Sequence, residues 1–384
     1  MNFSSSHPPL PPISEEECLV RLRLLRSRRV GPATFHKLIR DHGSARAALE
    51  ALPEIAQRAG ERGYEVCAPG VAEAEMRAAR KARARPLWIG EAGYPALLSE
   101  VPDAPPLLWA RGPLSPDGGR TLGIVGARNA SSLGTRMTRR LVGELGRAGF
   151  VIVSGLARGI DTMAHHTAVE TGTIAAVAGG VDVVYPSENT RLADEIASKG
   201  LIVSEMPMGA TPHARHFPRR NRIIAGLSRA VVVIEAAAKS GTLITADLAG
   251  DYGRDVLAVP GHPFDARAAG CNALIRDGAT LVRSAVDVME ALGEEARVHT
   301  PAQESLFAGP VPGAEPPQKR RSLREIAALH QEVLDRLGPS PLAEDQLIRG
   351  FDVPPAKVTS ALVELEMDGQ IERQRGGMVC LKTA

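Results

Sequence analysis

The feature that most constrains this chain is a rhythm of short apolar runs and helical patterns between Thr121 and Val282. Leu122–Gly126, Phe150–Val153, Thr173–Val177, Leu201–Val203, Ala230–Ile234, Val256–Val259 and Leu281–Val282 each read as strands. Helical patterns separate them at Leu133–Arg147, Gly159–Glu170, Asn189–Ala197, Asn221–Ser228, Leu243–Asp251 and Ala269–Arg276. Ala230-Val-Val-Val-Ile234 has no polar alternation, the mark of a strand buried on both faces. Strands alternating with helices predict an α/β fold with a doubly wound, mostly parallel sheet. Such sheets bind ligands at the carboxyl ends of their strands. The small-residue turns fall at those ends: Gly126–Ser131, Ser154–Gly159, Ala178–Gly180 and Ser240–Thr242.

Around that core the 384 residues divide into further pieces. Residues 1–14 read as a disordered arm, with neither the basic start nor the apolar stretch of a signal peptide. Residues 15–83 read as a small helical domain. Its Val30-Gly31-Pro32 turn resembles a helix-hairpin-helix of the SAM-like kind, whose turn N–H groups can hold a DNA phosphate. Residues 84–293 are the extended core. Its first two strands, at Leu87–Ile89 and Leu107–Ala110, are separated by prolines and placed at the sheet margin. Residues 294–322, rich in Pro, Gly and charge, read as a linker. Residues 323–384 read as three helices and a hairpin, a winged helix. Glu364, Glu366 and Asp368 on its third helix disfavour groove reading of DNA and suit an interaction module.

Composition narrows the function. Hydrophobic residues make up 44%, ample for a core, and no apolar run approaches a membrane span. Four cysteines without a C-x-x-C suit a reducing cytoplasm and no structural zinc. The net charge is only +2, so a polyanion site must come from local clustering. That cluster is Arg215, Arg219, Arg220 and Arg222, with no acid among them. Phe217 sits inside the cluster, placed to stack on a base. With Lys239-Ser240-Gly241-Thr242 opening a helix nearby, the pattern is cationic side chains beside helix-start N–H groups, a phosphate grip.

Other chemistries find less support. Gly123-Ile-Val-Gly126 is not a dinucleotide fingerprint, and no Walker-type loop exists. His165 and His166 are adjacent on a helix, and His213, His216 and His262 lack carboxylates at ligand spacing, so no metal is expected. Asp161 reads as a cap or turn residue, Asp182 and Glu205 as structural acceptors, and Glu235 as a partner for a loop arginine.

Several blocks in order resemble the DNA-processing protein A family (DprA, or Smf) of bacterial transformation. They are Gly126-Ala-Arg128-Asn-Ala-Ser131, Ser154–Asp161 with Ala164-His165, and Tyr185-Pro186-Ser-Glu-Asn189, followed by Phe217–Ser228, Ser240–Thr245 and Val259-Pro260-Gly261. The resemblance runs through residues 86–290. It implies a Rossmann-like core that binds single-stranded DNA without catalysis or cofactor. It also implies a homodimer that loads RecA recombinase onto strands coated by single-strand-binding protein, in natural transformation or recombination. The implied DNA-binding residues are Gly126, Arg128, Ser131, Ser154, Gly155, Phe217, Arg219, Arg220, Asn221, Arg222, Lys239, Ser240, Gly241 and Thr242. Dimer and RecA surfaces are implied around Leu274–Val282. Where many members carry a lysine before the phenylalanine, this chain reads His213-Ala-Arg215-His216.

An enzyme reading competes. The core is similar to that of lysine-decarboxylase-like nucleotide phosphoribohydrolases, which carry a glutamate where this chain has Thr245. A threonine cannot serve as a general base near neutral pH.

Overall fold

A computed structural model describes residues 14–116, 119–294, 329–334, 337, 342–349, 351, 353, 355–374 and 378–381. The expected N-terminal arm up to residue 13, and the linker from residue 295 onward, lie outside the described residues. The chain divides into two compact units, one ending at His299 and one beginning at Thr300.

The first unit opens with four helices: α1 (Glu15–Arg26), α2 (Pro32–His42), α3 (Ala45–Arg58) and α4 (Pro69–Lys81). Local chemistry explains their ends. Ser14 caps α1 by accepting from the Glu17 N–H at 3.1 Å, with three glutamates in the first turn and Arg23 and Arg26 in the last. Helix α2 starts on Pro32 and stops at Gly43, whose φ of 76° suits a left-handed cap.

A nine-stranded sheet follows, in the order β1-β2-β6-β5-β4-β3-β7-β8-β9. Its strands are β1 (Arg85–Trp88), β2 (Leu107–Arg111), β3 (Thr121–Val125), β4 (Val151–Ser154), β5 (Thr173–Ala176), β6 (Leu201–Ser204), β7 (Ala230–Val233), β8 (Asp255–Ala258) and β9 (Thr280–Leu281). All neighbours from β6 to β9 are parallel. At the margin β2 runs antiparallel to both of its neighbours, β1 and β6. Strands β3 and β7 are buried along their whole length, as their unbroken apolar runs require.

Helices cover both faces. Helices α5 (Ala96–Ser99), α9 (His216–Leu227), α10 (Gly241–Asp251) and α11 (Ala269–Arg276) close one side, with Ile223, Ile224, Ala246 and Cys271 in its core. Helices α6 (Ser132–Arg147), α7 (Ile160–Ala168) and α12 (Ala285–Ala291) close the other, around Leu141, Phe150 and Val288. Helix α8 (Thr190–Lys199) shares a third core with the N-terminal helices, through Trp88, Trp109 and Ile196. The N-terminal bundle is thus welded to the sheet. The Trp109 indole donates to Glu75 at 2.8 Å, and Arg26 grips the same carboxylate at 2.7 and 2.9 Å.

The chain runs outward from β3 through β4, β5 and β6, then returns to place β7 on the other side of β3. The gap between the carboxyl ends of β3 and β7 is therefore the topological switch point, where open α/β sheets bind ligands.

One boundary differs from expectation. The arginine block is not a loop leading to a helix at Asn221, because α9 already begins at His216. Pro218 falls in its first turn, where a missing N–H costs nothing.

The second unit contains α13 (329–334), β10 (Leu342–Ala343), α14 (Glu344–Arg349), α15 (Pro355–Met367), β11 (Ile371–Gln374) and β12 (Met378–Leu381). Its strands pair in the order β10-β12-β11 around Val333, Leu347, Val358, Leu362 and Val379. This is a winged helix. Leu342 and Ala343, expected at a helix start, form the short strand instead.

Candidate nucleic-acid interface

The rim of the switch point is assembled from three chain segments. The first follows β3. Here Thr242 donates its hydroxyl to the Gly126 carbonyl at 3.1 Å, tying the start of α10 to the end of β3. Arg128 then stands exposed, its guanidinium 5.1 Å from the centre of the Phe217 ring.

The second segment, Ser154–Asp161, is held from below. Asp161 accepts from the N–H groups of Gly155 and Ala157 at 3.1 and 3.3 Å, the turn role expected of it. Burial raises its pKa, against the pull of Arg220. Leu156 adopts a left-handed φ of 57°. Its N–H donates to His165 Nε2 at 3.3 Å, and its carbonyl accepts from Asn189 at 2.9 Å. Since Nε2 accepts, the His165 proton sits on Nδ1 and is donated to the Thr173 hydroxyl at 2.7 Å. Burial first, and Arg220 next, push the His165 pKa down to about 3, so the ring is neutral.

The third segment is α9 with the α10 start. Ser240 caps α10 and accepts from the Thr242 N–H at 3.2 Å. Asn221 donates to the Gly241 carbonyl at 3.3 Å, fixing the two helices to each other. Together the segments enclose a cleft of about 440 Å³, lined by Gly126, Arg128, Phe217, Asn221, Ser240, Gly241, Thr242 and Arg267. A second cleft of about 340 Å³ adjoins it and shares Arg128, Ala157 and Phe217. Tyr185 lines this second cleft, its ring centre 5.8 Å from that of Phe217. The Arg128–Phe217 pair therefore forms the ridge between two hollows.

The other sequence-predicted residues are placed differently. Arg220 lies in the floor at 6% exposure, donating to the Gly155 carbonyl and to the Ala176 carbonyl at 2.7 Å. Arg222 is equally buried and donates to the Asp103 carbonyl and the Glu205 carboxylate. Both arginines therefore brace the rim from inside. Arg219 is exposed, 3.5 Å from Glu205, and faces a neighbouring groove. Gly155 lines the second cleft, whereas Ser154 is fully buried on the Ile124 carbonyl at 2.6 Å. Lys239 is exposed just before Ser240. Ser131 is not brought to the cleft. It caps α6 and donates to Glu235, which therefore pairs with Ser131 and not with a loop arginine.

Tyr185 and Arg267 were given no role from sequence. Tyr185 carries a signal in its Tyr-Pro turn, while Arg267 lies in a loop without a recognisable pattern. Among the described residues no cluster of histidine, cysteine and carboxylates could hold a metal, and no helix is long and apolar enough to cross a membrane.

Comparison with known proteins gives a consistent result. A family model described as DNA recombination-mediator protein A matches residues 85–293. Models for a DprA-like N-terminal HHH domain and a DprA winged helix domain match residues 15–78 and 315–377. Protein Smf of Synechocystis is 37% identical, across 74% of this chain and 76% of its own length. The DNA processing protein DprA of Bacillus subtilis is 44% identical, across 54% of this chain and 70% of its own. The X-ray structure of DNA processing protein A from Streptococcus pneumoniae superposes with a TM-score of 0.61 at 35% identity, covering 73% of this chain and 98% of that one. A Helicobacter pylori DNA processing protein A, whose structure concerns its single-stranded DNA binding mode, superposes at 0.51 with 30% identity, covering 55% and 95%.

Proposed function

The chain belongs to the DNA recombination-mediator protein A family, and from that premise we propose that its switch-point cleft binds single-stranded DNA. The observation that carries this is the Arg128–Phe217 ridge, an exposed cation over a half-buried aromatic ring between two adjoining hollows. Arg128 takes a phosphate, and the Gly241 N–H at the α10 start, which donates to no group among the described residues, takes another. Phe217 and Tyr185 offer base-stacking surfaces, which suit any sequence because every base has a π-face.

In this reading the protein is not an enzyme. Thr245, standing where the phosphoribohydrolases carry glutamate, is 2% exposed and supplies no base. Protected strands pass to RecA recombinase from complexes with single-strand-binding protein, and the protein acts as a homodimer. Leu281, 41% exposed on the terminal strand β9, supports an interface there, since an open sheet edge invites pairing.

The test is fluorescence anisotropy of labelled oligothymidine with the full chain, across a salt series, with matched duplex as competitor. The expected log K–log salt slope is roughly −2 to −4, about −0.7 for each of three to five neutralised phosphates, with weak competition by duplex. No binding at low salt would overturn the assignment. Release of free base from a nucleoside monophosphate would overturn the non-catalytic part.

A further inference from the structure

Pro218 and Ile244 line the switch-point cleft and also a second depression on its far side, of about 480 Å³. The walls of that groove are Arg219 on α9, Leu248 on α10, Asp103 before β2, and Pro32 with Ala33 on α2. It therefore connects the sheet rim to the N-terminal helical bundle. We infer that a bound single strand does not stop at the cleft but continues over Pro218 and Ile244 and across the outer face of α2, making the N-terminal bundle the second half of the DNA site.

Charge favours a nucleic-acid occupant. Arg219 is 54% exposed and, among the described residues, pairs only with Glu205, at 3.5 Å. The acid in the groove, Asp103, is already compensated: its carboxylate accepts from the Tyr252 hydroxyl at 2.6 Å and lies 3.8 Å from Arg222. On α2 the exposed Lys37 stands one turn beyond Ala33, on the same face. Ile244, 40% exposed, leaves an apolar surface at the doorway between the hollows, where a base can lie while the backbone crosses. The path thus offers a cation at each side of an apolar saddle.

This path rests on the cleft reading, and a length series separates the two. The full-length protein and its Lys37→Ala, Arg219→Ala and doubly substituted forms are titrated with oligothymidines of increasing length. Both side chains are exposed and neither lines the cleft, so the substitutions leave the fold intact. Short oligomers that fill only the cleft are expected to bind the double variant as they bind the parent. Beyond a breakpoint length the double variant binds about tenfold more weakly, with a salt slope shallower by about 1.4, that is 0.7 for each lost phosphate contact. Equal loss at every length, or no loss at any length, would overturn the extended path. Arg128→Ala run in the same series weakens every length if the cleft reading holds. Binding unchanged by that substitution would overturn the cleft reading itself.

Discussion

The Arg128 guanidinium lies over the Phe217 ring at 5.1 Å, and the proposed DNA site assigns the two side chains separable work. If Arg128 neutralises a phosphate as proposed, Arg128→Ala is expected to make the salt slope shallower by about 0.7. Phe217 stacks without charge, so Phe217→Ala is expected to cost about 1–3 kcal/mol of affinity for oligothymidine at an unchanged slope. Anisotropy titrations at several salt concentrations distinguish the two effects. A slope change in Phe217→Ala would count against the division of labour.

Arg220, three residues after Phe217, answers to a different assay. Its guanidinium is buried, bridging the carbonyls at the ends of β4 and β5 and compensating Asp161. Arg220→Ala leaves Asp161 buried without that charge and both carbonyls without their donor. A loss of about 3–5 kcal/mol of folding stability is expected. Arg220→Lys recovers only part of the loss, because Nη1 alone donates to both carbonyls and the shorter lysine side chain must bring its ammonium to that same point. Urea unfolding measures both. A variant as stable as the parent, but deficient in DNA binding, would place Arg220 on the rim after all.

The contrast between these neighbours explains what the sequence could reveal. The sheet was legible because a parallel strand buried on both faces must be an unbroken apolar run, as at Ala230–Val233. The arginine block was visible as charge, but not the direction of each arginine. Direction depends on helical phase, and Pro218 disguised the first turn of α9 as loop. It depends also on partners far along the chain: Arg220 on Gly155 and Ala176, Arg222 on Asp103 and Glu205. The partner of Glu235 is hidden from sequence for the same reason, since Ser131 lies 104 positions away.

Gly159 fixes the position of Arg128 indirectly. Its φ is 76°, and a Cβ there would stand 2.3 Å from the Ala127 carbonyl oxygen and 2.6 Å from that of Arg128. Gly159→Ala therefore incurs backbone strain of about 1–3 kcal/mol and also pushes the Arg128 turn outward. Gly149 supplies the control: its φ is 86°, but nothing lies within 4 Å of its Cβ position. Gly149→Ala is expected to lower the melting temperature while leaving DNA affinity intact, whereas Gly159→Ala lowers both. Equal affinities in the two variants would show that the turn does not depend on Gly159.

His165 predicts the pH dependence of the fold. Its folded pKa is about 3, against 6.5 for the unsheltered side chain, so between these values the unfolded chain binds the extra proton. Stability therefore rises with pH in this window: the contribution is fully present above about 6.5 and is lost as pH falls, by about 1.4 kcal/mol per pH unit. Protonation of Nε2 would also remove the acceptor for the Leu156 N–H, loosening the loop that carries Arg158 and Gly159. Urea midpoints are thus expected to drop between pH 7 and pH 5. His165→Gln, which keeps a donor and an acceptor without a titrating group, is less stable at pH 7 but has a flatter pH profile. A profile as steep as the parent's would assign the acid sensitivity to another group.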